Sequence, residues 1–532
     1  MSDRNSVRRD FLKGAGASIP GGAFALRSAQ GAEPAAHAPG SAGVWDVRAF
    51  GARGDGKTID TAAVDRAIAA AAAAGGGTVR VPAGSYLCRT IHLRSKVALH
   101  LDEGTTVIAA DPPAAGAAGG YDPPEPNRWD QFQDFGHSHW RNSLIYGEDL
   151  DGAAILGPGL IWGRGLSRGW GAGPKAEQPG VGNKAISLKN CRNILLRDFA
   201  ILHGGHFGIL ATGVDNLTID NLTIDTNRDG IDIDCCRNVR VSNCSVNSPW
   251  DDGICLKSSF GLGFARATEM VTITNCMVSG SFEEGTLLDG TFKRFAPDAD
   301  VPRMGRIKFG TESNGGFLNI TVSNCVFDGC RGLALETVDG GALEDVTISN
   351  ITMRDLSSAP IFLRLGSRMR GPAGVPPGVL RRVAISNVVC SRGVSPLGSI
   401  LSGIPGFPIE DVRISDVYVL HQGGGEEREA EPPENTGAYP EPNMFGPMPS
   451  HGFFIRHARG IELNDIEIRT MKPDPRPFAV LYDVEDADFF RIKTPREPGA
   501  ALFSLNNVRN FALARSKPLP DTEIAQAARK TL

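Results

Sequence analysis

The fold class this sequence predicts is all-β: a single-stranded right-handed parallel β-helix, or solenoid, with an N-terminal capping helix. Three observations predict it. A short strand ending in Asn or Asp recurs from about residue 190; a Gly followed by an alternating apolar strand recurs between its copies; and one Ala-rich helical stretch stands near the start.

The first motif reads Asn216-Leu-Thr-Ile-Asp-Asn221, Asn238-Val-Arg-Val-Ser-Asn243, Val271-Thr-Ile-Thr-Asn275, Ile320-Thr-Val-Ser-Asn324, Val346-Thr-Ile-Ser-Asn350, Val383-Ala-Ile-Ser-Asn387, Val412-Arg-Ile-Ser-Asp416 and Ile461-Glu-Leu-Asn-Asp465. Asn221 and Asn243 are 22 residues apart, Asn324 and Asn350 are 26 apart, and longer gaps read as inserted loops. Strands repeating in the low twenties with no helix between them fit one coil of a β-helix. A leucine-rich repeat has a similar period, but its Leu consensus is missing. An Asn at each turn tolerates the bent backbone and can hydrogen-bond along the stack. Of ten cysteines, Cys191, Cys244, Cys276 and Cys325 each follow an Asn, so they occupy one repeated place. That regularity points to buried free thiols stacked as small apolar fillers rather than disulfides, and no Cys/His cluster has zinc spacing.

The second motif aligns Phe207-Gly208, Asp229-Gly230, Asp252-Gly253, Glu284-Gly285 and Arg331-Gly332, each ahead of an alternating strand. The residue before Gly then takes equivalent places on successive coils, about 4.8 Å apart. That column reads Phe207, Asp229, Asp252, Glu284, and the one before it His206, Arg228, Asp251, Glu283.

Val44-Trp45-Asp46-Val47 begins the fold, and Thr61 to Ala74 is an amphipathic helix, stopped by Gly75-Gly76-Gly77, that caps the apolar first coil. Pro/Gly-rich stretches at 111–130, 164–183, 370–378 and 422–450 read as loops flanking a cleft. Arg8-Arg9-Asp10-Phe11-Leu12-Lys13 before a weakly apolar stretch resembles a twin-arginine signal, which implies export after folding through that machinery to the periplasm or beyond. The expected division is therefore a signal at 1–32, a catalytic β-helix at 44–515 and a C-terminal tail at 516–532. No later apolar run has the length of a membrane span. A formal charge of −5 without a basic block gives no reason to bind nucleic acid or anionic lipid.

Cleaving a glycosidic bond needs a proton donor and a second carboxylate, and the side of a solenoid offers a long groove for a polysaccharide. Asp229, Asp251, Asp252 and Glu284 are the candidate catalytic residues, because crowding like charges keeps at least one of them protonated. Gly305-Arg306-Ile307-Lys308-Phe309 turns Arg306 and Lys308 to one face, where a uronate carboxylate can be held. Lys257, Glu336 and Arg364 lie outward on further coils, either lining sugar subsites or forming a charge ladder. His203 and His206 precede the carboxylates by one coil, and as isolated histidines they read first as structural.

These residues resemble glycoside hydrolase family 28, the polygalacturonases and rhamnogalacturonases. The resemblance runs from about Val44 past Asn350 and includes Ala49-Phe50-Gly51-Ala52-Arg53-Gly54-Asp55-Gly56. The family's Asn-Thr-Asp stands here as Asn227-Arg228-Asp229, its Asp pair as Asp251-Asp252, and its Arg-Ile-Lys as Arg306-Ile307-Lys308. The resemblance implies inverting, metal-independent hydrolysis without a cofactor: Asp251 as general acid, Asp229 and Asp252 activating water, and Arg306 and Lys308 binding substrate. Arg228 and His206 would border that substrate. The family's Gly-His-Gly after the Asp pair is missing, and the column alignment puts Glu284 in that place. Together with Arg228 in place of Thr, that shifts the expected substrate toward the rhamnose/galacturonate backbone of rhamnogalacturonan or its oligosaccharides. The alternatives are a polygalacturonase with a divergent subsite, a pectin lyase, which would release an unsaturated product, and a non-catalytic carbohydrate-binding solenoid.

Overall fold

The computed structural model describes residues 43–532 except 115–116, 135, 170–177, 297 and 427–430; the twin-arginine stretch lies outside the described residues. From Val44 the chain winds into a right-handed parallel β-helix whose coils stack as three parallel sheets around one continuous apolar core. One of these, called the site sheet below, stacks Ser143–Glu148, Lys184–Lys189, Phe207–Thr212, Asp229–Asp234, Ile254–Ser258, Ile307–Ser313, Leu333–Thr337, Ile361–Leu365 and Ser399–Ser402 in that order.

The recurring Asn or Asp is the corner between the other two sheets. Asn221, Asn243, Asn275, Asn324, Asn350, Asn387, Asp416 and Asp465 all have φ between 53° and 58°. Asn and Asp enter this left-handed region more readily than other side-chain-bearing residues. Their amides also join the coils: Asn350 Nδ2 donates to Asn324 Oδ1 at 2.9 Å and Asn387 Nδ2 to Asn350 Oδ1 at 2.8 Å. The Cys that follows points inward, and all ten cysteines are buried and free.

The helix, Thr61–Ala73, covers the first coil with Ala63, Val64, Ala67, Ile68 and Ala71 buried. At the far end Thr522–Thr531, within the segment set apart as a tail, pairs antiparallel with Phe503–Ala514 and covers the last sheet edge.

Two loops fold over the outer face of the site sheet. At the N-terminal end Trp140 packs on Tyr146, Phe207 and Leu210, and its indole N–H donates to Thr212 Oγ1 at 3.0 Å. Toward the C-terminal end Phe445 and Met448 pack on Ala334, Phe362, Ile400, Phe454 and Val480. The rungs left between them carry the sequence-predicted carboxylates.

The register corrects one expectation. Ile254 pairs with Ile307, so the rung after Asp252 is Gly305 and not Glu284. Residues 280–304 are an insertion containing an antiparallel hairpin, Phe282–Glu284 with Lys293–Arg294. Gly285 has φ +76° and turns the chain, whereas Gly230 and Gly253 continue it into strands. A short hairpin strand with a following Gly imitates the rung pattern in sequence, but its backbone pairs locally. Glu284 is exposed there, with a side chain 74% accessible, and pairs with Lys293.

Candidate active site

Asp229 starts its strand, and Asp251-Asp252 end the turn leading into the next. The Gly230 N–H donates to Asp252 O at 3.0 Å, and the Gly253 N–H to Arg306 O at 2.9 Å, locking three rungs together. A Cβ on Gly230 would lie 2.4 Å from Gly253 O, so the acidic residue must be followed by glycine for the rungs to close up. Carboxylate oxygens of Asp229, Asp251 and Asp252 thereby gather within 4.8 Å of one another.

Their surroundings differ. Asp252 is buried; Arg306 Nε donates to its Oδ1 at 2.9 Å and Lys308 Nζ lies 3.4 Å from its Oδ2. Burial opposes its charge, yet Lys308, Arg306 and Lys257 hold its pKa down at about 2. Asp229 is also buried, and desolvation followed by repulsion from Asp232 and Asp251 raises its pKa well above the carboxylate range. Asp251 is the accessible member, with 21% of its side chain exposed, and Arg228 Nη2 contacts its Oδ2 at 2.6 Å. Desolvation raises its pKa against the pull of Arg228, helped by the neighbouring Asp252 charge. An accessible carboxyl whose pKa is raised thus stands beside a buried one whose pKa is held down, the kind of division that acid/base hydrolysis uses.

Arg228 is positioned from behind. Its Nη2 lies 3.0 Å from His206 Nε2, and His206 stacks on Phe207 with ring centroids 4.3 Å apart. Burial pushes the His206 pKa well down, which keeps the imidazole neutral and able to accept from the guanidinium. Trp250 borders the same opening, its indole N–H donating to Glu283 Oε2 at 2.8 Å, and Arg168 pairs with Glu283 Oε1 at 2.7 Å. Glu283, and not Glu284, is therefore the hairpin carboxylate that meets the site.

A family model described as "Right handed beta helix region" matches residues 179–301, and one described as "Rhamnogalacturonase A/epimerase, pectate lyase-like" matches residues 44–149. The chain is 24% identical to a probable polygalacturonase of Vitis vinifera over 405 residues, covering 70% of this chain and 73% of that protein. It is 22% identical to the exo-poly-alpha-D-galacturonosidase of Dickeya chrysanthemi, covering 60% of this chain and 57% of that protein. The solved family 28 exopolygalacturonase of Yersinia enterocolitica superposes with a TM-score of 0.55 at 18% identity, covering 90% of this chain and 79% of that one. All three are named polygalacturonases or galacturonosidases. At these identities the solved structure establishes the fold, and the named activities belong to those proteins.

Of the other residues singled out in the sequence, Lys257, Glu336 and Arg364 are all buried in the site sheet. Lys257 Nζ lies 3.5 Å from Glu312 and 3.9 Å from Asp232. Glu336 Oε2 lies 3.7 Å from Lys308 Nζ, and burial moves its pKa up to about 7. Arg364 Nη2 donates to the backbone carbonyls of Glu434 and Asn435 at 3.0 and 3.3 Å. Lys257 and Glu336 join the charge lattice beneath the site, whereas Arg364 is taken up by the backbone of the 422–450 loop and by Ser402 and Gly403.

Sequence reasoning passed over four residues that the fold brings in. His137, from the N-terminal loop, lies 3.3 Å from Asp232 and 3.2 Å from Glu312. Burial opposes a charge on its ring, but Glu312 and Asp232 draw the pKa above the usual imidazole value. Tyr439 and Glu441 come from the 422–450 loop, and Lys308 Nζ lies 3.5 Å from the Tyr439 hydroxyl. Glu312, the fourth, is fully buried. The usable sequence signal was parity: Arg306, Lys308 and Glu312 are all even-numbered residues of one strand-forming run, but an irregularity after Phe309 breaks that count.

Proposed function

We propose that this chain is a glycoside hydrolase acting on the galacturonate/rhamnose-containing backbone of pectin, or on oligosaccharides from it. The observation that carries the reading is one carboxylate cluster in which Asp251 is accessible, with its pKa raised by desolvation, while Asp252 is buried and held ionised by Arg306 and Lys308. Asp251 gives its proton to the glycosidic oxygen as the C–O bond breaks; a water adds to the anomeric carbon and loses its proton to Asp252. Asp229, whose burial favours its protonated form, orients that water by hydrogen bonding; Asp252 then releases its proton to solvent, and solvent returns one to Asp251 for the next cycle. Arg228, set by His206, keeps the Asp251 carboxyl aimed outward and stabilises it once it has lost its proton.

The similarity to named polygalacturonases supports a pectic substrate. Glu284, exposed on its hairpin, has no part in this scheme and so lends no support to a rhamnogalacturonan substrate. Outer-face cover at both ends of the site sheet favours short chains or chain ends over the interior of a long polymer. Inversion of the anomeric centre is the expected outcome. Simple inverting pairs lie about 6.5–9.5 Å apart and retaining pairs about 5–5.5 Å, so the 4.8 Å cluster makes the product anomer a demanding test.

The experiment is incubation of the purified protein with polygalacturonan and rhamnogalacturonan oligosaccharides, followed by reducing-end assay, ultraviolet absorbance and proton NMR of the first product. New reducing ends without an unsaturated chromophore, and with an inverted anomer, support the proposal. An unsaturated product assigns a lyase instead, retention replaces the water-activation step, and no shortening of either polymer overturns the reading.

A further inference from the structure

Glu441 reaches the site from the C-terminal loop and occupies the guanidinium that a substrate carboxylate would use. Its Oε2 accepts from Arg306 Nη1 at 3.1 Å and its Oε1 from Arg306 Nη2 at 2.5 Å, the two-point grip of a carboxylate on arginine. Arg306 Nε is already given to Asp252, so every nitrogen of that guanidinium has an acidic partner. Arg331 Nη1 adds a contact of 2.6 Å to Glu441 Oε2, and Lys308 Nζ lies 4.0 Å from Oε1. Lys308 is further shared with Asp252, Glu336 and the Thr311 hydroxyl. Three cations therefore face three carboxyl groups, and Arg306, Lys308 and Glu441 are all buried.

Glu441 is held as a fixed part of the wall. Arg364 grips the carbonyls of Glu434 and Asn435, and Arg456 those of Pro432 and Pro433 at 2.7 and 3.1 Å. Asn435 Nδ2 donates to Met444 O at 2.6 Å, tying the two sides of the loop together. Phe445 and Met448 are buried against the sheet, so lifting Glu441 off Arg306 would pull both from an apolar cluster. The carboxylate is thus preorganised in place, and a substrate uronate that sought Arg306 would meet a like charge already seated there.

We infer that Glu441 is a specificity-determining residue: by supplying from the protein the carboxylate that Arg306, Lys308 and Arg331 require, it makes the adjoining subsite accept a neutral sugar and reject a uronate. This rests on the proposed pectic hydrolase reading and deepens it, because a backbone alternating galacturonate with a neutral deoxyhexose offers such a unit and a pure galacturonan does not. Tyr439, half exposed above Lys308 with the ammonium 5.3 Å from its ring centre, gives that sugar an aromatic face to rest on.

The test compares the parent protein with Glu441→Gln and Glu441→Ala, using calorimetric titration with L-rhamnose and D-galacturonate, and kcat/KM on rhamnose-containing and pure galacturonan oligosaccharides. The parent should bind L-rhamnose in preference to D-galacturonate, with an affinity for the neutral sugar that does not change with salt. Both variants should gain about tenfold or more toward D-galacturonate, and the gain should shrink as salt rises. Unchanged selectivity in the variants overturns the inference, as does parent binding of D-galacturonate that is tighter than that of L-rhamnose and weakened by salt. The parent measurements stand even where the Ala variant fails to fold, and the Gln variant retains hydrogen-bonding capacity toward Arg306. Failure to shorten any pectic oligosaccharide sinks the hydrolase reading, whereas hydrolysis with selectivity indifferent to Glu441 sinks this inference alone.

Discussion

Two faces of the solenoid carry rows of arginine and acidic residues, and only one of them can do chemistry. On the back, Arg382 pairs with Glu344 and Asp345 and Arg413 with Glu462 beside an open groove of about 630 Å³ lined by Arg382, Asp411, Arg413, Glu462 and Asp488, and Arg509 pairs with Glu485 outside it. On the site sheet Asp252, Arg306, Lys308 and Glu336 follow a similar rung-to-rung logic with at most 2% of each side chain exposed. Water screens the first set, so its members act as solvated pairs. In the second set each charge feels its neighbours strongly, which drives the carboxyl pKa values apart. A stacked charge row is what a coil repeat produces by default, and dehydration turns one such row into a site.

The sharpest break of this contrast is Asp251→Asn. It should cut kcat by about 10²–10⁴-fold, the usual worth of general acid catalysis, while thermal unfolding stays near that of the parent. Arg306→Ala comes next: it strands Asp252 and Glu441 in a dry site and should cost about 3–5 kcal/mol in chemical denaturation. Survival of either function or stability would mean the site is wetter than its burial indicates.

The pH dependence probes the same contrast in the intact protein. The rate should fall as pH rises through the elevated pKa of Asp251, because the acid is lost, and Asp251→Asn should abolish that limb. Stability carries two opposite contributions. Asp252, depressed in the folded state to about 2, stabilises above its unfolded pKa near 3.8, and this is lost as pH falls from about 4 to about 2. Asp229, raised in the folded state, contributes stability that is fully present below its unfolded pKa and lost as pH rises through the folded value. Calorimetric scans at stepped pH read both directions, and Asp229→Asn should remove the second.

Smaller effects are expected outside the dry cluster. Glu284→Gln should alter kcat/KM by less than about twofold, since an exposed carboxylate paired with a lysine contributes little; a loss beyond tenfold would return Glu284 to the site. Arg382→Ala, on the back, should be the quietest change, with a melting shift below about 2 °C and unaltered kinetics.

The fold was legible because its corner residues are chemically constrained: Asn221 through Asp465 repeat the residue types that tolerate a left-handed backbone. Asp229, Asp251, Asp252, Arg306 and Lys308 were legible because they ride that register. Glu284 misled because an inserted hairpin strand followed by a turn glycine has the same local pattern as a rung. His137, Tyr439 and Glu441 arrive from loops that obey no repeat, and where a loop lands is decided by remote packing such as Trp140 on Phe207 or Phe445 on Phe362. Arg364 read in sequence as a subsite residue or a rung of a charge ladder, yet the backbone of another loop takes up its donors.

The buried thiols carry a further consequence. Cysteines are spread from Cys88 near the first coils to Cys390 far along the stack, and burial lifts the pKa of Cys236 and Cys390 to about 12. In the native state such thiols are shielded from alkylating reagents and oxidants, which attack the thiolate. A coil that opens would expose its own thiols, such as the adjacent Cys235 and Cys236, ahead of those in coils still closed. Timed labelling read by peptide mass would therefore convert the cysteine ladder into a set of internal clocks, reporting from which end the solenoid unwinds.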